Sequence, residues 1–208
     1  MIAAIMSSRS SRKTVRAGRR RRNSFRVIGG RWRGRRLEFP ALAAVRPSPD
    51  RVRETAFNWL APFIEGARCL DLFAGSGALG LEALSRGAAE VVFVDREREL
   101  VDVIRRHLTL LGALESAHLA HADALAFLRG GGHAPFDIAF LDPPYGQGLL
   151  PPCLQALPRW LKPLNRVYVE GEAELDMTLP PGWRVLKSRR AGMVGYHCLT
   201  FEPEPEAR

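Results

Sequence analysis

An apolar run that is followed at once by three closely spaced glycines constrains the fold of this chain more than any other stretch. Residues 69–80 read Cys-Leu-Asp-Leu-Phe-Ala-Gly-Ser-Gly-Ala-Leu-Gly. The apolar residues predict a buried strand, and the apolar positions that recur from Leu79 predict a helix. Glycines at such a turn let the backbone approach a ligand, and the first N–H groups of the helix point towards it. The spacing matches a dinucleotide-binding fingerprint, although a strand-to-helix turn without a ligand is also common.

Strands and helices alternate through the rest of the chain. This alternation predicts an α/β fold in residues 64–208, with a mostly parallel sheet covered by helices on both faces. The predicted strands are residues 68–73, 90–95, 117–121, 136–141, 166–172, 183–190 and 196–202. The predicted helices are residues 77–86, 97–111, 124–129 and 149–161. No helix separates the last two strands, so they should form an antiparallel pair.

Four of the predicted strands end at or just before an aspartate. These residues are Asp71, Asp95, Asp123 and Asp142. In an open α/β sheet, ligands bind beyond the carboxyl ends of the strands, so the four carboxylates should meet at one edge. Asp95 is placed to accept from both hydroxyls of a ribose, whereas Asp123 could equally be the N-cap of the helix that follows. Together the four favour a nucleoside ligand.

Positive charge is concentrated at the N-terminus. The formal net charge is +9, yet residues 1–37 contain 13 of the 31 basic residues and no acidic residue precedes Glu38. The remaining residues therefore carry 18 basic and 22 acidic side chains, a net charge of −4. Residues 1–23 are rich in Ser and Arg, which predicts an arm that is disordered when free and neutralises nucleic-acid phosphates. An organelle-targeting peptide, or a start codon upstream of the natural one, would explain the same composition.

Residues 24–39 predict a small basic hairpin with a turn at Gly29-Gly30. Its arginines alternate with Phe25, Trp32 and Phe39, and such interleaving suits RNA, whose bases and phosphates are both accessible. The alternative is a solvated, charged hairpin whose aromatic rings only pack on the core. The predicted RNA-contacting residues of this segment are Arg26, Arg31, Trp32, Arg33, Arg35 and Arg36.

A helix should follow the hairpin and connect it to the α/β domain, so residues 24–63 form one predicted RNA-binding unit. Ser48 can cap this helix, with Pro49 at its first position. One apolar face is predicted for Val52, Ala56, Phe57, Leu60 and Phe63. Three arginines near the start of the helix could bind a phosphate or simply be solvated, namely Arg46, Arg51 and Arg53.

Cysteine content and hydropathy narrow the class of protein further. Cys69, Cys153 and Cys198 are odd in number and far apart, so we interpret them as reduced core thiols rather than disulfides or metal ligands. No apolar run approaches the roughly 20 residues of a membrane span. A soluble, cytoplasmic protein without a metal is expected.

The glycine-rich stretch, the acid that ends the second predicted strand and Asp142-Pro-Pro-Tyr145 together resemble the class I S-adenosylmethionine-dependent amino-methyltransferases. From about residue 25 to residue 201, the chain is further similar to the RsmD group of bacterial small-subunit ribosomal RNA guanine-N2 methyltransferases. The motifs that carry this second resemblance are Arg26-Val-Ile-Gly-Gly-Arg-Trp-Arg-Gly-Arg-Arg-Leu, Arg46-Pro-Ser-Pro-Asp-Arg-Val-Arg-Glu-Thr, Phe57-Asn-Trp-Leu, Gly80-Leu-Glu-Ala-Leu-Ser-Arg and Ala191-Gly-Met-Val-Gly-Tyr. Two departures are modest: Ser48 stands where the family more often has Thr, and Tyr145 stands where Phe is also usual.

The resemblance implies a Rossmann-like sheet of seven strands, one of them antiparallel, and methyl transfer from S-adenosyl-L-methionine to a guanine 2-amino group in 16S ribosomal RNA. The target would lie in a hairpin loop in the head of the small subunit. Apart from the resemblance, we expect a monomer. Naked RNA, an assembled subunit and an assembly intermediate remain open as substrates. The implied cofactor-binding residues are Asp71, Phe73, Ala74, Gly75, Ser76, Gly77, Gly80, Asp95, Arg96, Asp123 and Ala124. The implied catalytic residues are Asp142, Pro143, Pro144 and Tyr145.

The Asp-Pro-Pro-Tyr turn answers a chemical difficulty of such a substrate. An exocyclic purine amine is a poor nucleophile because its lone pair is delocalised into the ring. Asp142 and the carbonyl of Pro143 can accept its two N–H groups and aim the lone pair, while Tyr145 can stack on a flipped base.

Three other functions remain open at this point. A nicotinamide oxidoreductase would share the glycine loop and Asp95, but it has no use for the Asp-Pro-Pro-Tyr turn. A related methyltransferase could act on DNA adenine or a protein glutamine, although the basic hairpin disfavours a peptide and no separate base-reading domain is visible. A catalytically silent RNA-binding protein could retain the fold, but the intact Asp142 and glycine loop count against it.

Overall fold

A basic hairpin, a connecting helix and a larger α/β unit follow one another in the computed structural model, which describes residues 22–41, 48–172 and 179–203. The strands are β1 (Arg22–Arg26), β2 (Arg36–Pro40), β3 (Arg68–Asp71), β4 (Glu90–Asp95), β5 (Ala117–His121), β6 (Phe136–Leu141), β7 (Leu161–Glu172), β8 (Trp183–Ala191) and β9 (Val194–Phe201). The α-helices are α1 (Asp50–Ile64), α2 (Ala78–Ser85), α3 (Arg98–Leu111), α4 (Ala124–Arg129) and α5 (Leu150–Ala156). Short 3-10 turns occupy Gly30–Trp32, Leu114–Ser116 and Pro158–Trp160. None of the helices in these ranges has the length and apolar character needed to cross a membrane.

Strands β3 to β9 form one sheet of seven strands in the order β5-β4-β3-β6-β7-β9-β8. Only β9 runs against the others, since it pairs antiparallel with both β7 and β8. The predicted α/β fold, with a mostly parallel sheet and one antiparallel strand, is thereby confirmed. The predicted bounds of β4, β5 and β6 agree with the structure, whereas β7 begins at Leu161 rather than at residue 166.

A proline explains the early start of β7. The predicted helix 149–161 is wrong at its end, because α5 stops at Ala156 and a 3-10 turn begins at Pro158. Proline lacks an N–H group and its ring crowds the preceding turn, which disfavours the continuation of an α-helix, and Pro158 begins a separate 3-10 turn instead. The chain therefore leaves the helix and enters β7 directly after Trp160.

Hydrophobic residues fill both faces of the sheet, as a layered α/β fold requires. One face packs against the hairpin, α1, α2 and α3, where Phe57, Leu81 and Ile104 are fully buried. The other face packs against α4 and α5 through residues such as Leu128 and Cys153. All three cysteines are buried free thiols, as predicted, and burial raises the pKa of Cys153 to about 12.

The hairpin docks on α2 through buried polar contacts, and the predicted simple turn at Gly29-Gly30 is wrong. The two carboxylate oxygens of Glu82 accept hydrogen bonds from the backbone N–H groups of Ile28 and Gly29, each at 2.7 Å. Ser85 Oγ donates to the Gly29 carbonyl at 2.6 Å. A Cβ on Gly30 would lie 1.8 Å from the Ser85 carbonyl oxygen, so this close approach requires glycine. The segment between β1 and β2 is therefore a docking loop.

The start of α1 also differs from the prediction. Pro49, rather than Ser48, is the N-cap of the helix, and no side chain caps it. Ser48 Oγ instead donates a hydrogen bond to Glu170 Oε1 on β7 at 2.6 Å. At the other end of the helix, Phe63 is 38% exposed while Ile64 is buried, so the predicted apolar face is wrong at that position. The connecting helix nevertheless packs beside the sheet, as predicted.

Candidate active site

The four predicted aspartates follow four adjacent strands of the sheet. Asp123 follows β5, Asp95 ends β4, Asp71 ends β3 and Asp142 follows β6. These strands are parallel, so their carboxyl ends meet at one edge. The chain passes from β3 outwards to β5 and then crosses to β6, so the strand order switches between β3 and β6. Asp71 and Asp142 flank this switch point, where open α/β sheets bind their ligands.

Two of these aspartates hold the glycine loop in place. Asp95 Oδ2 accepts a hydrogen bond from the Gly75 N–H at 2.7 Å, and Asp71 Oδ2 accepts from the Gly80 N–H at 2.9 Å. Gly75 and Gly77 have φ angles of 53° and 80°, which glycine adopts without steric cost. A Cβ on Gly80 would lie 2.2 Å from a phenylalanine ring on β4, so the close packing of α2 on β4 also requires glycine. The carboxylates of Asp95 and Asp71 thus fix the conformation of the glycine loop through hydrogen bonds.

The electrostatics of this edge suit a ligand with an ammonium group and ribose hydroxyls. Burial raises the pKa of Asp71 to about 7, against the effect of the Gly80 N–H, and a nearby ammonium would favour its ionised form. Burial also raises the pKa of Asp95. The two oxygens of Asp95 accept from the N–H groups of Gly75 and Glu97, and each keeps a lone pair for a hydroxyl. These residues fit the cofactor that the sequence resemblance implies.

The remaining predicted cofactor residues differ in their exposure. Ala74, Ser76, Gly77 and Ala124 are buried, Phe73 is half-buried and Arg96 is exposed. Asp123 is the N-cap of α4, because its Oδ1 accepts from the Ala126 N–H at 2.9 Å. The capping role left open by the sequence is therefore confirmed. A contact between the second oxygen of Asp123 and an adenine amino group stays a prediction.

A second carboxylate, which sequence reasoning missed, lies beside Asp142. The register of β6 with β7 places Asp142 level with Glu170 on the neighbouring strand. Glu170 is only 1% exposed, and its Oε1 accepts hydrogen bonds from Ser48 Oγ at 2.6 Å and from the Tyr168 hydroxyl at 2.9 Å. The available signal was a single acid within the apolar run 167–171, since a buried charge requires partners.

The two carboxylates disfavour each other's ionisation. Burial raises the pKa of Asp142 well above its ordinary value, the negative charges of Glu170 and Asp71 raise it further, and the Ser48 hydroxyl opposes them. Burial likewise raises the pKa of Glu170, while hydrogen bonds from hydroxyl groups and the positive charge of Arg53 lower it. Asp142 is therefore a stronger base than an ordinary aspartate.

The rest of the turn frames Asp142. Pro143 is buried and Pro144 is half-buried, and neither has an N–H that would compete for an acceptor. The side chain of Tyr145 is 51% exposed at the mouth of the site. An aromatic ring in this position offers a flipped base a surface on which to stack.

The arginines of the hairpin lie at the surface, whereas its aromatic rings do not. The exposed arginines are Arg26, Arg31, Arg33, Arg35 and Arg36. Phe25, Trp32 and Phe39 are at most 7% exposed and belong to the core, which is the alternative that the sequence left open. The guanidinium of Arg31 lies 4.1 Å from the centre of the Trp32 ring. The burial of Trp32 argues against its stacking on an RNA base.

The two described arginines of α1 have different environments. Arg51 is exposed, but Arg53 is fully buried. The Arg53 guanidinium donates to the carbonyls of Ser48 and Arg26 at 3.2 and 2.9 Å, and it pairs with the Asp50 carboxylate at 2.6 Å. Arg53 therefore ties α1 to the hairpin, and its burial argues against a contact with RNA phosphate.

Parts of the predicted RNA-binding region lie outside the described residues. Arg46 is one of them, and residues 1–21 of the predicted arm are others. Strand β1 begins at Arg22, two residues inside the segment 1–23 that was assigned to the arm.

Class I methyltransferases combine three features that this structure also shows. These are the sheet order, the glycine loop held by two strand-end aspartates and the Asp-Pro-Pro-Tyr turn beyond β6. The chain is an S-adenosylmethionine-dependent methyltransferase of this class, and S-adenosyl-L-methionine is its cofactor.

Comparison with known proteins narrows the class to one family. The family described as conserved hypothetical protein 95 matches residues 25–200. The ribosomal RNA small subunit methyltransferases D of Escherichia coli K12 and Haemophilus influenzae are 43% and 40% identical to the chain, covering 88% and 84% of it and 93% of each relative. A solved structure of the Escherichia coli protein yhhF matches with a TM-score of 0.79 and 43% identity, over 88% of this chain and 100% of that one. The chain therefore belongs to the family of the ribosomal RNA small subunit methyltransferases D.

Proposed function

We propose that this protein transfers a methyl group from S-adenosyl-L-methionine to the exocyclic 2-amino group of a guanine in 16S ribosomal RNA. It acts as a monomer, on the small subunit or an assembly intermediate. The observation that carries the proposal is the position of Asp142, which stands at the switch point of the sheet beside the braced glycine loop. The relatives named for ribosomal RNA of the small subunit and the exposed arginines of the hairpin support an RNA substrate.

Residues of this chain bring the weakly nucleophilic amine into a reactive geometry. The bound cofactor supplies an electrophilic methyl group on a sulfonium centre. Asp142 accepts one N–H of the guanine amine and the Pro143 carbonyl accepts the other, which draws the nitrogen towards a tetrahedral arrangement. The rate enhancement comes mainly from this alignment and from hydrogen bonds that strengthen as positive charge develops on the nitrogen.

Asp142 also has the basicity that the reaction needs. The amine must release one proton in the course of methylation, and a base works best when its pKa lies near the working pH. Burial and the neighbouring charges of Glu170 and Asp71 raise the pKa of Asp142 above that of an ordinary aspartate, which makes its carboxylate a stronger base. The proton therefore passes from the amine nitrogen to a carboxylate oxygen of Asp142.

A substrate panel tests the assignment. Tritiated S-adenosylmethionine is incubated with the protein and with unmodified small subunits, 16S ribosomal RNA, DNA or a protein extract. We expect label in the RNA or the subunit only, at a guanine amino group. Label in DNA adenine or in a protein would favour a related methyltransferase. Cofactor binding without label in any substrate would favour a silent RNA-binding protein.

Variants of the turn test the mechanism. Asp142→Ala should lower the single-turnover rate by roughly 10²–10³-fold with little change in cofactor affinity, whereas Asp102→Ala on α3 is the matched control. Tyr145→Ala should weaken RNA use by about 1–3 kcal/mol, the value of one stacked base. Tyr145→Phe should remain close to wild type, because the ring rather than the hydroxyl stacks. A near-normal rate for Asp142→Ala, or equal damage in both Tyr145 variants, would contradict the mechanism.

A further inference from the structure

The last two strands carry a charged surface that the proposed reaction has not used. Residues 183–201 contain no acidic residue, and their basic side chains other than histidine are Arg184, Lys187, Arg189 and Arg190. All four are exposed on β8, which is the edge strand of the sheet. The turn between β8 and β9 adds Met193, which is 76% exposed. A surface of one sign attracts a partner of the opposite sign.

The register of the sheet places one end of β8, with Arg189 and Arg190, near the catalytic turn. Glu170 on β7 pairs with Tyr196 on β9, and Tyr196 pairs with Arg189 on β8. Neighbouring strands lie about 4.8 Å apart, so the backbones of Glu170 and Arg189 are about 10 Å apart. Arg190 and the β8–β9 turn follow towards the same edge, whereas Arg184 lies at the opposite end of β8.

Protection of the sheet edge does not account for the distribution of these charges. Charged residues on an edge strand do prevent edge-to-edge association. Arg184 is neutralised, because its Nη2 lies 2.6 Å from Glu202 Oε1. Within the ranges that the structure describes, no carboxylate forms a salt bridge with Lys187, Arg189 or Arg190. The positive charges without such a partner are thus those nearer to the active site.

The active-site edge itself repels a polyanion. Asp71, Asp142 and Glu170 lie together there, and an RNA substrate brings its phosphates towards them. The basic hairpin docks on α2, which packs on β3 and β4 on one side of Asp142. Strand β8 is the far edge of the sheet on the other side. Positive charge on both sides would hold an RNA strand across the acidic edge.

We propose that Lys187, Arg189 and Arg190 form a second RNA-binding surface, which contacts phosphates of the substrate strand on the side of the target guanine away from the hairpin. This inference rests on the proposed function, because the ligand is the substrate RNA itself. Arg189 points to the same face as its partner Tyr196, which is the face covered by α1. The Nε of Arg190 donates to the Gly192 carbonyl at 2.8 Å and so holds that guanidinium at the turn.

The salt dependence of RNA binding tests this surface in the full-length protein. Filter binding of 16S ribosomal RNA is compared for wild type, Lys187→Gln/Arg189→Gln and the control Arg184→Gln, which removes charge from the other end of the same strand. Each phosphate contact adds about 0.7–0.9 to the slope of log affinity against log salt. The double variant should lose about 1.4–1.8 from that slope, so wild type should lose about tenfold more affinity than the variant between 50 and 200 mM salt. Arg184→Gln should keep the wild-type slope.

Methylation assays separate the possible outcomes. The double variant should raise the KM for RNA, with kcat and cofactor affinity unchanged, and Lys187→Arg/Arg189→Lys should behave as wild type. Equal slopes for wild type and the double variant, or an equal loss in Arg184→Gln, would overturn the proposal. An effect on assembled subunits with unchanged binding of naked RNA would indicate a protein contact and would also overturn it. A wild-type protein that methylates no RNA would refute the proposed function instead.

Discussion

Glu170→Gln should move the pH dependence of methyl transfer to lower pH. Asp142 accepts best when it is ionised, and after burial itself the negative charge of Glu170 is the strongest influence that raises its pKa. The substitution removes this charge but retains an acceptor oxygen for Ser48 and Tyr168. The pKa of Asp142 should therefore fall, its ionised form should persist to lower pH, and the rising limb of the rate profile should shift with it.

The sheet geometry sets the size of this shift. Leu141, the last residue of β6, pairs with Val169 on β7, so Asp142 and Glu170 are the next residues along these parallel strands, which lie about 4.8 Å apart. Two unit charges about 5 Å apart repel by roughly 3 kcal/mol at an effective dielectric constant of about 20, which is the upper limit of the repulsion that the substitution removes. Arg53 offsets part of the Glu170 charge, so the limb should move to lower pH by less than this full repulsion would imply. In the wild-type protein, the rising limb of the rate profile reports the joint titration of Asp142 and Glu170, because the two carboxylates influence each other.

The assay is the single-turnover rate between pH 5 and 9 with RNA and cofactor saturating. Glu115→Gln, an exposed substitution in the 3-10 turn Leu114–Ser116, is the matched control and should leave the profile unchanged. The groups around the pair are unaltered in the variant; they are Asp71 on β3, Arg53 on α1, Ser48 before α1 and Tyr168 on β7 itself. An unmoved limb in a Glu170→Gln protein that binds cofactor normally would refute the reasoning, as would a shift to higher pH.

Three further predictions concern buried charges. Because burial raises the pKa of Asp71 to about 7, the stability of the ligand-free protein should fall as pH rises from about 4 to about 7, and Asp71→Asn should make this slope shallower in thermal unfolding. Asp95, Asp142 and Glu170, whose pKa values burial also raises, keep their own contributions, so a slope as steep as that of wild type would count against the prediction. Arg53→Met should cost about 2–4 kcal/mol in chemical denaturation because two carbonyls lose their donor, whereas Arg51→Met should cost at most about 0.5 kcal/mol; similar losses would contradict this. Glu82→Ala leaves two hairpin N–H groups without an acceptor and should make the hairpin sensitive to limited proteolysis. Resistance equal to that of wild type would show that these two hydrogen bonds are dispensable.

Local pattern was sufficient for much of the sheet and failed where distant segments meet. The strands β4 and β6 occur at their predicted residues because each is a short apolar run, and β5, which reads Ala-His-Leu-Ala-His, is bounded by a 3-10 turn and by the aspartate that caps α4. The predicted cap at Ser48 failed because Glu170, 122 residues away, takes its hydroxyl. The predicted turn at Gly29-Gly30 failed because Glu82 and α2 hold that segment.

The amino-acid sequence by itself determined the α/β class, the glycine loop and the strand-end aspartates that flank the switch point. These features depend on the order of apolar, glycine and acidic residues over about ten positions. That order alone determines a local strand-turn-helix unit. Only the tertiary structure decided which charged residues are buried. Arg53 resembles the exposed Arg51 in sequence, yet it lies in the interior because hairpin and helix close around it. Glu82 and Glu170 lie within apolar runs, but only the fold shows which groups satisfy their carboxylates. Burial depends on contacts between segments 54 or 122 residues apart, and no local periodicity specifies such contacts.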